Sequence, residues 1–568
     1  MTPPPFCRRA SRALLLLGLL SAGRAAAQHA PVAATMAGRS PVYAPNGVAA
    51  TSQPLATTAA ISVLERGGNA IDAAVTAAAV LSVVEPMMTG IGGDMFAIIW
   101  LARENRLVAL NASGRAGALM TRDELLRRGR TSVRRGVEAI TVPGALAGWQ
   151  ALLDRYGTRS LAQALDPAIG YAENGFVVTP VIAADWASQV SILRRDDGAR
   201  ATFLRDSQPP AAGELFTNPD YARTLREIAR DGLAGFYGGA LGRRIVDRVR
   251  ELGGFLTLRD LEAHANTWVT PISVTFRGYR VWEMPPNNQG IAALEMLRIL
   301  EPYDLQSLGH NSARYLHLLI EAKKLAYADL ARYVGDPDHL TLTSAQILSD
   351  PFITERRRHL DTTKAKIRAE PGPERVSSET VYLTVADRHG NMVSFINSIY
   401  NEFGSGIVVP GTGFALHDRG SGFTLTPARP NTVAPGKRPF HTLIPGFVTI
   451  PAAAQAPDGA GDVPYMSFGL MGGAMQSQGH VQFLLNHLVF GMDIQRAQDA
   501  GRFRHLDSTR VILESTVPDS VLAALRLLGH SVRVGQPDQF GGSQAIIRLS
   551  RGYVAGSDPR KDGHAGGH

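Results

Sequence analysis

The sequence predicts an α+β protein in which helices and strands alternate with mixed topology. Alanine and leucine recur at helical spacing on both sides of the stop GGN at 67–69, which predicts two buried helices. Residues 380–399 have the pattern of two strands joined by a tight turn. Further strands near 443–450 and 465–470 lead into a predicted helix over 476–491, and no internal repeat is visible.

The first 27 residues have the order of a secretory signal peptide. An arginine-rich start precedes the apolar run 13–20, and the alanines at 25–27 supply a cleavage site. That run is too short for a membrane span, and no later stretch reaches spanning length without charged or polar interruption. We therefore expect cleavage near residue 27, a mature chain without a membrane span, and export to a periplasm or beyond.

Composition excludes several kinds of chemistry. The single cysteine, Cys7, lies inside the predicted signal, so the mature chain has no disulfide, thiolate metal ligand or cysteine nucleophile. The formal charge of +8 falls to about +4 once the four arginines of the signal are removed. No basic block with interleaved aromatic residues is present, so nucleic acid is not an expected partner.

Helices dominate the middle of the chain. Several predicted helices between 122 and 261 end at or near glycine, and further helices are expected over 289–300 and 312–333. The stretch TPISVTFRGYRV at 270–281 alternates as one strand. The closing residues 562–568, DGHAGGH, are predicted to form a disordered tail.

A hairpin opens at a threonine. Thr380 begins a strand rich in β-branched residues, 387–391 forms the turn around Gly390, and 392–399 returns. If Gly390 takes the left-handed position of a three-residue loop, the register places Thr380 directly opposite Ser398.

This threonine has two interpretations. The preceding stretch KAKIRAEPGPERVSSE at 364–379 has the composition of an exposed connector. A cut between Glu379 and Thr380 would expose a hydroxyl nucleophile together with its own α-amine, a base with a pKa near 7.7 to 8.0. The other interpretation is an ordinary threonine in an ordinary hairpin, and these residues alone leave both open.

Other catalytic motifs are absent from the sequence. There is no HExxH, no CxxC and no GxSxG, so neither a metal site nor an α/β-hydrolase triad is expected. The glycine turn TGIGGD precedes a strand and no GK[ST] follows it, which excludes a phosphate loop.

Taken together, several motifs resemble the γ-glutamyltransferase family. They are GVAATSQPLATTAAISVLERGGNAIDAAV, VVEPMMTGIGGDMFAI, VPGALAGWQAL, ETVYLTVADRHGNMVSF, FGSGIVVPGTGF, APGKRPFHTLIPG and FGLMGGAMQSQGHVQ, and they cover nearly the whole mature chain in order. The resemblance implies a four-layer αββα N-terminal nucleophile hydrolase that cleaves itself. On this chain the large subunit would be 28–379 and the small subunit 380–568, and no cofactor would be required.

The resemblance also assigns residues. Thr380 matches the nucleophile, Ser398 matches a hydroxyl residue that hydrogen-bonds near it, and Gly472 and Gly473 match the pair whose N–H groups form the oxyanion hole.

The substrate pocket departs from the family pattern. The arginine that binds the γ-glutamyl α-carboxylate falls on Ser113, with Arg115 two residues away as a substitute, and the acid that binds the α-amino group falls on Gly422. A serine pair is His441-Thr442 here. His441 could line the pocket or simply pack in the core.

These departures are similar to the subgroup nearer cephalosporin or glutaryl acylases. Three functions follow. The first is hydrolysis or transfer of a γ-glutamyl-type group from a small amide or peptide such as glutathione. The second is hydrolysis of N-acyl amides without an α-amine. The third is an inactive exported binding protein on the same fold.

Overall fold

Two seven-stranded sheets form the centre of the computed structural model, which describes residues 38–367, 380–452 and 461–568. The chain separates into Met1–Arg39 and Ser40–His568, and both sheets belong to the second unit. The strands of the described residues are β1 Val42–Ala44, β2 Val48–Thr51, β3 Asp94–Leu101, β4 Arg106–Ala112, β5 Phe176–Val177, β6 Leu215–Phe216, β7 Thr267–Val269, β8 Ile272–Phe276, β9 Tyr279–Glu283, β10 Val381–Ala386, β11 Met392–Ser398, β12 Ile407–Val408, β13 Ala415–Leu416, β14 Pro445–Ile450, β15 Val463–Leu470, β16 Phe503–His505, β17 Arg510–Leu513, β18 Ser531–Val534, β19 Ser543–Arg548, β20 Tyr553–Ser557 and β21 His564–Gly567.

Helices cover the outer faces of both sheets. Those in the described residues are α1 Pro54–Glu65, α2 Ala70–Val84, α3 Arg122–Arg127, α4 Ala145–Tyr156, α5 Leu161–Asn174, α6 Pro180–Ser188, α7 Val190–Leu193, α8 Asp197–Phe203, α9 Pro219–Tyr237, α10 Ala240–Glu251, α11 Leu258–Glu262, α12 Gly290–Leu300, α13 Leu305–Leu308, α14 Ala313–Tyr333, α15 Ser344–Ile347, α16 Asp350–Arg358, α17 Met475–Leu488, α18 Ile494–Asp499 and α19 Asp519–Leu527. None of these combines the length and apolar character that crossing a bilayer requires.

The first helix pair forms as predicted. Asn69 starts α2 with a capping box. Its side chain accepts from the N–H groups of Ile71 and Asp72, and the Asp72 side chain accepts from the backbone N–H of Asn69. Every residue of α2 is buried, because small alanines allow neighbouring helices and the sheet to approach closely.

Three apolar cores separate four layers. One sheet has the order β21-β2-β10-β11-β3-β4-β7 and the other β1-β20-β19-β15-β14-β9-β8. A central core joins their facing sides, where the rings of Trp100 and Phe447 stack 6.5 Å apart. The other face of the first sheet packs on α1, α2 and α4, with α5 against α2, and that of the second packs on α12 and α17, with α14 against α12. This is the αββα arrangement, so the predicted α+β fold class is confirmed.

The hairpin that begins at Thr380 has the predicted register. In β10 and β11, Val381 pairs with Asn397 and Ala386 pairs with Met392. Gly390 has a φ of 88° in the turn, which suits glycine because it has no Cβ. The next pair outward is Thr380 and Ser398.

Two local predictions were wrong. Residues 270–281 do not form one strand, because Arg277 and Gly278 have φ values of 51° and 84° and turn the chain between β8 and β9. The final residues are not a disordered tail. Strand β21 pairs with β2 and completes the edge of the first sheet.

The predicted signal peptide 1–27, the residues 28–37 of the predicted large subunit and Glu379 lie outside the described residues.

Candidate active site

Thr380 and Ser398 meet at the open end of the hairpin. Both are completely buried, and the Thr380 hydroxyl donates to Ser398 Oγ over 3.3 Å. Ser398 Oγ also accepts the N–H of Tyr400 at 2.8 Å. The hydroxyl of Thr380 is therefore positioned by a side chain whose own orientation is fixed by the following backbone.

Asp94 supports Ser398 from the neighbouring strand. It is the cross-strand partner of Ser398 between β3 and β11, and its Oδ1 accepts the N–H groups of Gly114 at 2.9 Å and Gly144 at 3.2 Å. An added Cβ on Gly144 would collide with the carbonyl of Ala112, so a side chain at this position would displace the loop that holds Asp94.

Two histidines share the other oxygen of Asp94. Leu443 N–H donates to His441 Nδ1 at 3.3 Å, which leaves the proton on Nε2, and Nε2 donates to Asp94 Oδ2 at 3.1 Å. His417 Nδ1 lies 3.4 Å from the same oxygen. Burial raises the pKa of Asp94, but His417 and His441 outweigh burial and hold it well below 3.8. Burial, reinforced by Arg419, lowers the pKa of His441 to about 3, so this ring is neutral at physiological pH.

The glycine pair has the conformation and the free donors of an anion site. Gly472 and Gly473 have φ values of 115° and 59°, and neither N–H donates a hydrogen bond within the part of the chain that the structure describes. Gln289 Nε2 donates both to the carbonyl of Gly473 at 2.7 Å and to that of Thr442 at 2.8 Å. The Gln289 amide thus ties the glycine turn to the predicted substrate residue Thr442.

A cavity of about 330 Å³ lies beside these groups. Its wall includes Tyr400, Thr442 and Ala474. Tyr400 binds Ser398 through its N–H, Thr442 follows His441 in the chain, and Ala474 follows Gly473. Gly422 also lines it, and its carbonyl accepts from Asn431 Nδ2 at 2.7 Å. The charged residues of the wall, among those described, are four cations and one acid: Lys323, Lys324, Arg332, Arg429 and Asp507. The cavity therefore favours an anionic ligand.

The predicted carboxylate substitute Arg115 lies away from this wall. Its Nη1 pairs with Asp336 Oδ2 at 3.2 Å and donates to the carbonyl of Gly436 at 2.9 Å. Ser113 is buried and donates to Asn111 Oδ1 at 2.7 Å. Its carbonyl accepts from Arg438 Nε at 3.0 Å.

Arg419 was not anticipated from the sequence. Its Nη1 donates to Thr442 Oγ1 at 3.0 Å, and its guanidinium lies 4.1 Å from the centre of the Tyr400 ring. Its only sign in the sequence is the run of three polar residues, His417-Asp418-Arg419, directly after β13. All three are buried in the structure. Asp94 and Gln289 were missed for a different reason, since neither belongs to a local motif.

One cluster outside the site has metal-ligand residue types. Ligand atoms of His317, Glu321 and His530 lie within 4.8 Å of one another. His317 and His530 hydrogen-bond to each other at 2.8 Å, and Glu321 pairs with Lys324 at 2.6 Å. The Nδ1 atom of His530 has no hydrogen-bond partner among the described residues.

Known proteins resemble the chain over nearly its full length. The family model described as Gamma-glutamyltranspeptidase matches residues 56–568. The glutathione hydrolase-like YwrD proenzyme of Bacillus subtilis (strain 168) is 36% identical over 525 residues, covering 90% of this chain and 97% of that protein. The oxamate amidohydrolase proenzyme of Klebsiella pneumoniae is 35% identical over 536 residues, covering 92% and 98%. A crystal structure of cephalosporin acylase from Bacillus halodurans superposes with a TM-score of 0.87 at 41% identity, covering 95% and 98%.

Proposed function

The chain belongs to the γ-glutamyltranspeptidase family, and from this premise we propose that it is an amidase that cleaves itself before Thr380 and then uses that residue as its nucleophile. The observation that carries the proposal is the contact between Thr380 and Ser398 at the start of β10. The position of this hydroxyl at a strand terminus, in a family of self-processing hydrolases, supports the proposal that it attacks both the preceding peptide bond and a substrate amide.

Maturation would proceed in two balanced steps. The Thr380 hydroxyl attacks the carbonyl carbon of Glu379, the C–N bond breaks, and the hydroxyl proton ends on the released nitrogen. Water then hydrolyses the ester, leaving a carboxylate on Glu379 and restoring the Thr380 hydroxyl. The products are a large subunit of 28–379, after removal of residues 1–27 on export, and a small subunit of 380–568.

Substrate cleavage would use the newly formed amine. The Thr380 α-amine takes the hydroxyl proton as the oxygen attacks the substrate carbonyl, and the N–H groups of Gly472 and Gly473 stabilise the developing oxyanion. The leaving amine receives the proton, and water or an acceptor amine resolves the acyl-enzyme. Because an α-amine titrates near pH 7.7 to 8.0, kcat/KM should rise through that range.

The acyl group transferred is a γ-glutamyl-type group, one that carries a carboxylate at its far end. An acylase preference within this class is favoured by Gly422, which offers no acidic side chain to an α-ammonium, and by the excess of cations on the cavity wall. Side-by-side assay of γ-glutamyl and glutaryl anilides separates the two substrate types.

The test of maturation is electrophoresis of purified protein. Wild-type protein should run as two fragments and Thr380→Ala as one, while Thr380→Ser, which retains a hydroxyl, should be cut. Ser378→Ala is the matched control and should be processed normally. An uncut wild-type chain would instead indicate an inactive binding protein on this fold.

A further inference from the structure

Arg419 is a buried cation with two nitrogens, Nε and Nη2, that have no acceptor in the part of the chain that the structure describes. The whole residue is inaccessible to solvent, and only Nη1 has a hydrogen-bond acceptor, Thr442 Oγ1. Within the described residues, Nε and Nη2 have no hydrogen-bond partner. A buried charge without an ion-pair partner is costly, so this arrangement points to a ligand.

In other arginines of this chain, the same two nitrogens, Nε and Nη2, bind a carboxylate. Arg560 Nε and Nη2 both bind the Glu514 carboxylate at 2.5 Å, and Arg230 uses the same two nitrogens on Asp231 at 2.7 Å. These two parallel N–H groups form the fork that matches a carboxylate. On Arg419 neither nitrogen of this fork has an acceptor within residues 38–367, 380–452 and 461–568.

The two acids nearest to Arg419 in the site, Asp94 and Asp418, bind other groups. Asp94 binds Gly114, Gly144 and His441 through its two oxygens. Asp418 accepts from the backbone N–H and the side-chain amide of Asn401, at 3.2 and 2.5 Å. No acid of the described residues forms an ion pair with Arg419, which therefore has charge left for a ligand. Burial lowers the pKa of the Arg419 guanidinium to about 10, so it remains cationic at neutral pH.

Tyr400 connects this cation to the nucleophile. It has a φ of 79°, a conformation that costs a bulky residue free energy and is found where surrounding contacts enforce it. Its N–H binds Ser398 Oγ, which accepts from Thr380, while its ring lies against the Arg419 guanidinium. Both Tyr400 and Thr442 line the cavity. A ligand entering the cavity thus meets Tyr400 and Thr442, both of which contact Arg419.

We propose that Arg419 and Thr442 form the subsite for the terminal carboxylate of the acyl group, so that the preferred substrates are amides of dicarboxylic acids without an α-ammonium, such as glutaryl amides. The inference rests on the proposed function and assigns its specificity. An α-ammonium would be repelled by Arg419 and would find no acid at Gly422. The buried positive charge of Arg419 is costly without a partner, and a bound carboxylate would neutralise it.

The experiment compares three anilides of equal acyl length, glutaryl, pentanoyl and γ-glutamyl, on the matured enzyme. Wild type should favour glutaryl over pentanoyl about a hundred-fold in kcat/KM, because a paired buried carboxylate is lost in pentanoyl. Arg419→Gln should lower activity on glutaryl about a hundred-fold and on pentanoyl less than about three-fold. Arg419→Lys, which keeps the charge without the fork, should fall between them.

Arg115→Gln is the matched control, since that arginine pairs with Asp336 outside the cavity wall, and it should leave the glutaryl-to-pentanoyl ratio unchanged. A matured Arg419 variant that retains the wild-type ratio would overturn the proposal, as would a wild-type preference for γ-glutamyl over glutaryl. Absence of amidase activity on all three anilides would instead contradict the proposed function.

A second measurement uses wild-type enzyme alone, so it does not depend on whether a variant matures. Glutarate should inhibit hydrolysis of the pentanoyl anilide at a concentration at least about ten-fold below that of glutaramide, which has the same length and no carboxylate. Equal inhibition by the two compounds would overturn the assignment of Arg419.

Discussion

Ser398 and Asp94 are direct cross-strand partners, one supporting the Thr380 hydroxyl and the other anchoring two glycine loops and a neutral histidine. The nucleophile's support and the buried carboxylate are therefore fixed by the same strand register. A change at Ser398 should affect chemistry, whereas a change at Asp94 should affect stability first.

Ser398→Ala should slow both self-cleavage and substrate turnover about five-fold, because loss of one hydrogen bond near the nucleophile is worth about 1 kcal/mol. Ser398→Thr retains the hydroxyl and should stay closer to wild type. Ser394→Ala is the control on the same strand, since its hydroxyl contacts Tyr382 and Phe468 instead. Both rates are measured by gel densitometry and anilide release, and equal effects of the two alanine variants would contradict the role of Ser398.

Asp94→Asn should destabilise the protein by about 3 kcal/mol, because it removes a charge that accepts from His441 and places an amide donor against existing donors. Asp123→Asn changes a carboxylate that is 94% exposed and should have little effect. Both are compared by thermal unfolding in the uncut Thr380→Ala background, so that processing does not alter the chain. Equal unfolding midpoints would argue against the Asp94 cluster as a source of stability.

Stability should fall as the pH drops from 6.5 toward 3, partly because of His441. The ordinary pKa of the side chain is 6.5, and burial lowers it to about 3 in the folded protein. Between these values the unfolded state binds the additional proton, which favours unfolding. In the Thr380→Ala background, His441→Gln should show a smaller loss of thermal midpoint between pH 7 and 4.5 than the parent. Substitution of the exposed His359 by Gln should preserve the parent's slope, and an unchanged slope in His441→Gln would contradict the prediction.

Gly472→Ala should reduce turnover about a hundred-fold. Its φ of 115° is unfavourable for alanine, and the added Cβ would lie 3.0 Å from Gly541 Cα, so the N–H aimed at the oxyanion would shift. Gly491→Ala is the matched control, because Gly491 has a φ of 66° and open space around its missing Cβ. It also places alanine at a positive φ, with a smaller backbone cost and no contact to the site. A comparable loss of kcat in both variants would indicate general destabilisation.

The sequence predicted the parts of the site that depend on local periodicity. The hairpin register follows from alternation and from Gly390, and it brings Thr380 to Ser398. Asp94, His417 and Arg419 could not be predicted in this way, because they come from separate elements and meet only when the sheet and the loop after β13 pack together. Their burial also contradicts the usual expectation that charged residues are exposed.

The two local errors have equally physical reasons. Arg277-Gly278 is a two-residue turn inside an otherwise continuous alternating pattern, so alternation alone overlooked the reversal. Residues 564–567 are poor strand formers, yet they pair because β2 offers an open sheet edge. Tertiary context outweighed local preference there.

The most direct test of the central claim is mass spectrometry of the enzyme quenched during turnover of glutaryl anilide. The small fragment should begin at Thr380 and carry one glutaryl group on that residue. An acyl group attached to any other residue, or turnover by a chain that has not been cut before Thr380, would contradict the claim.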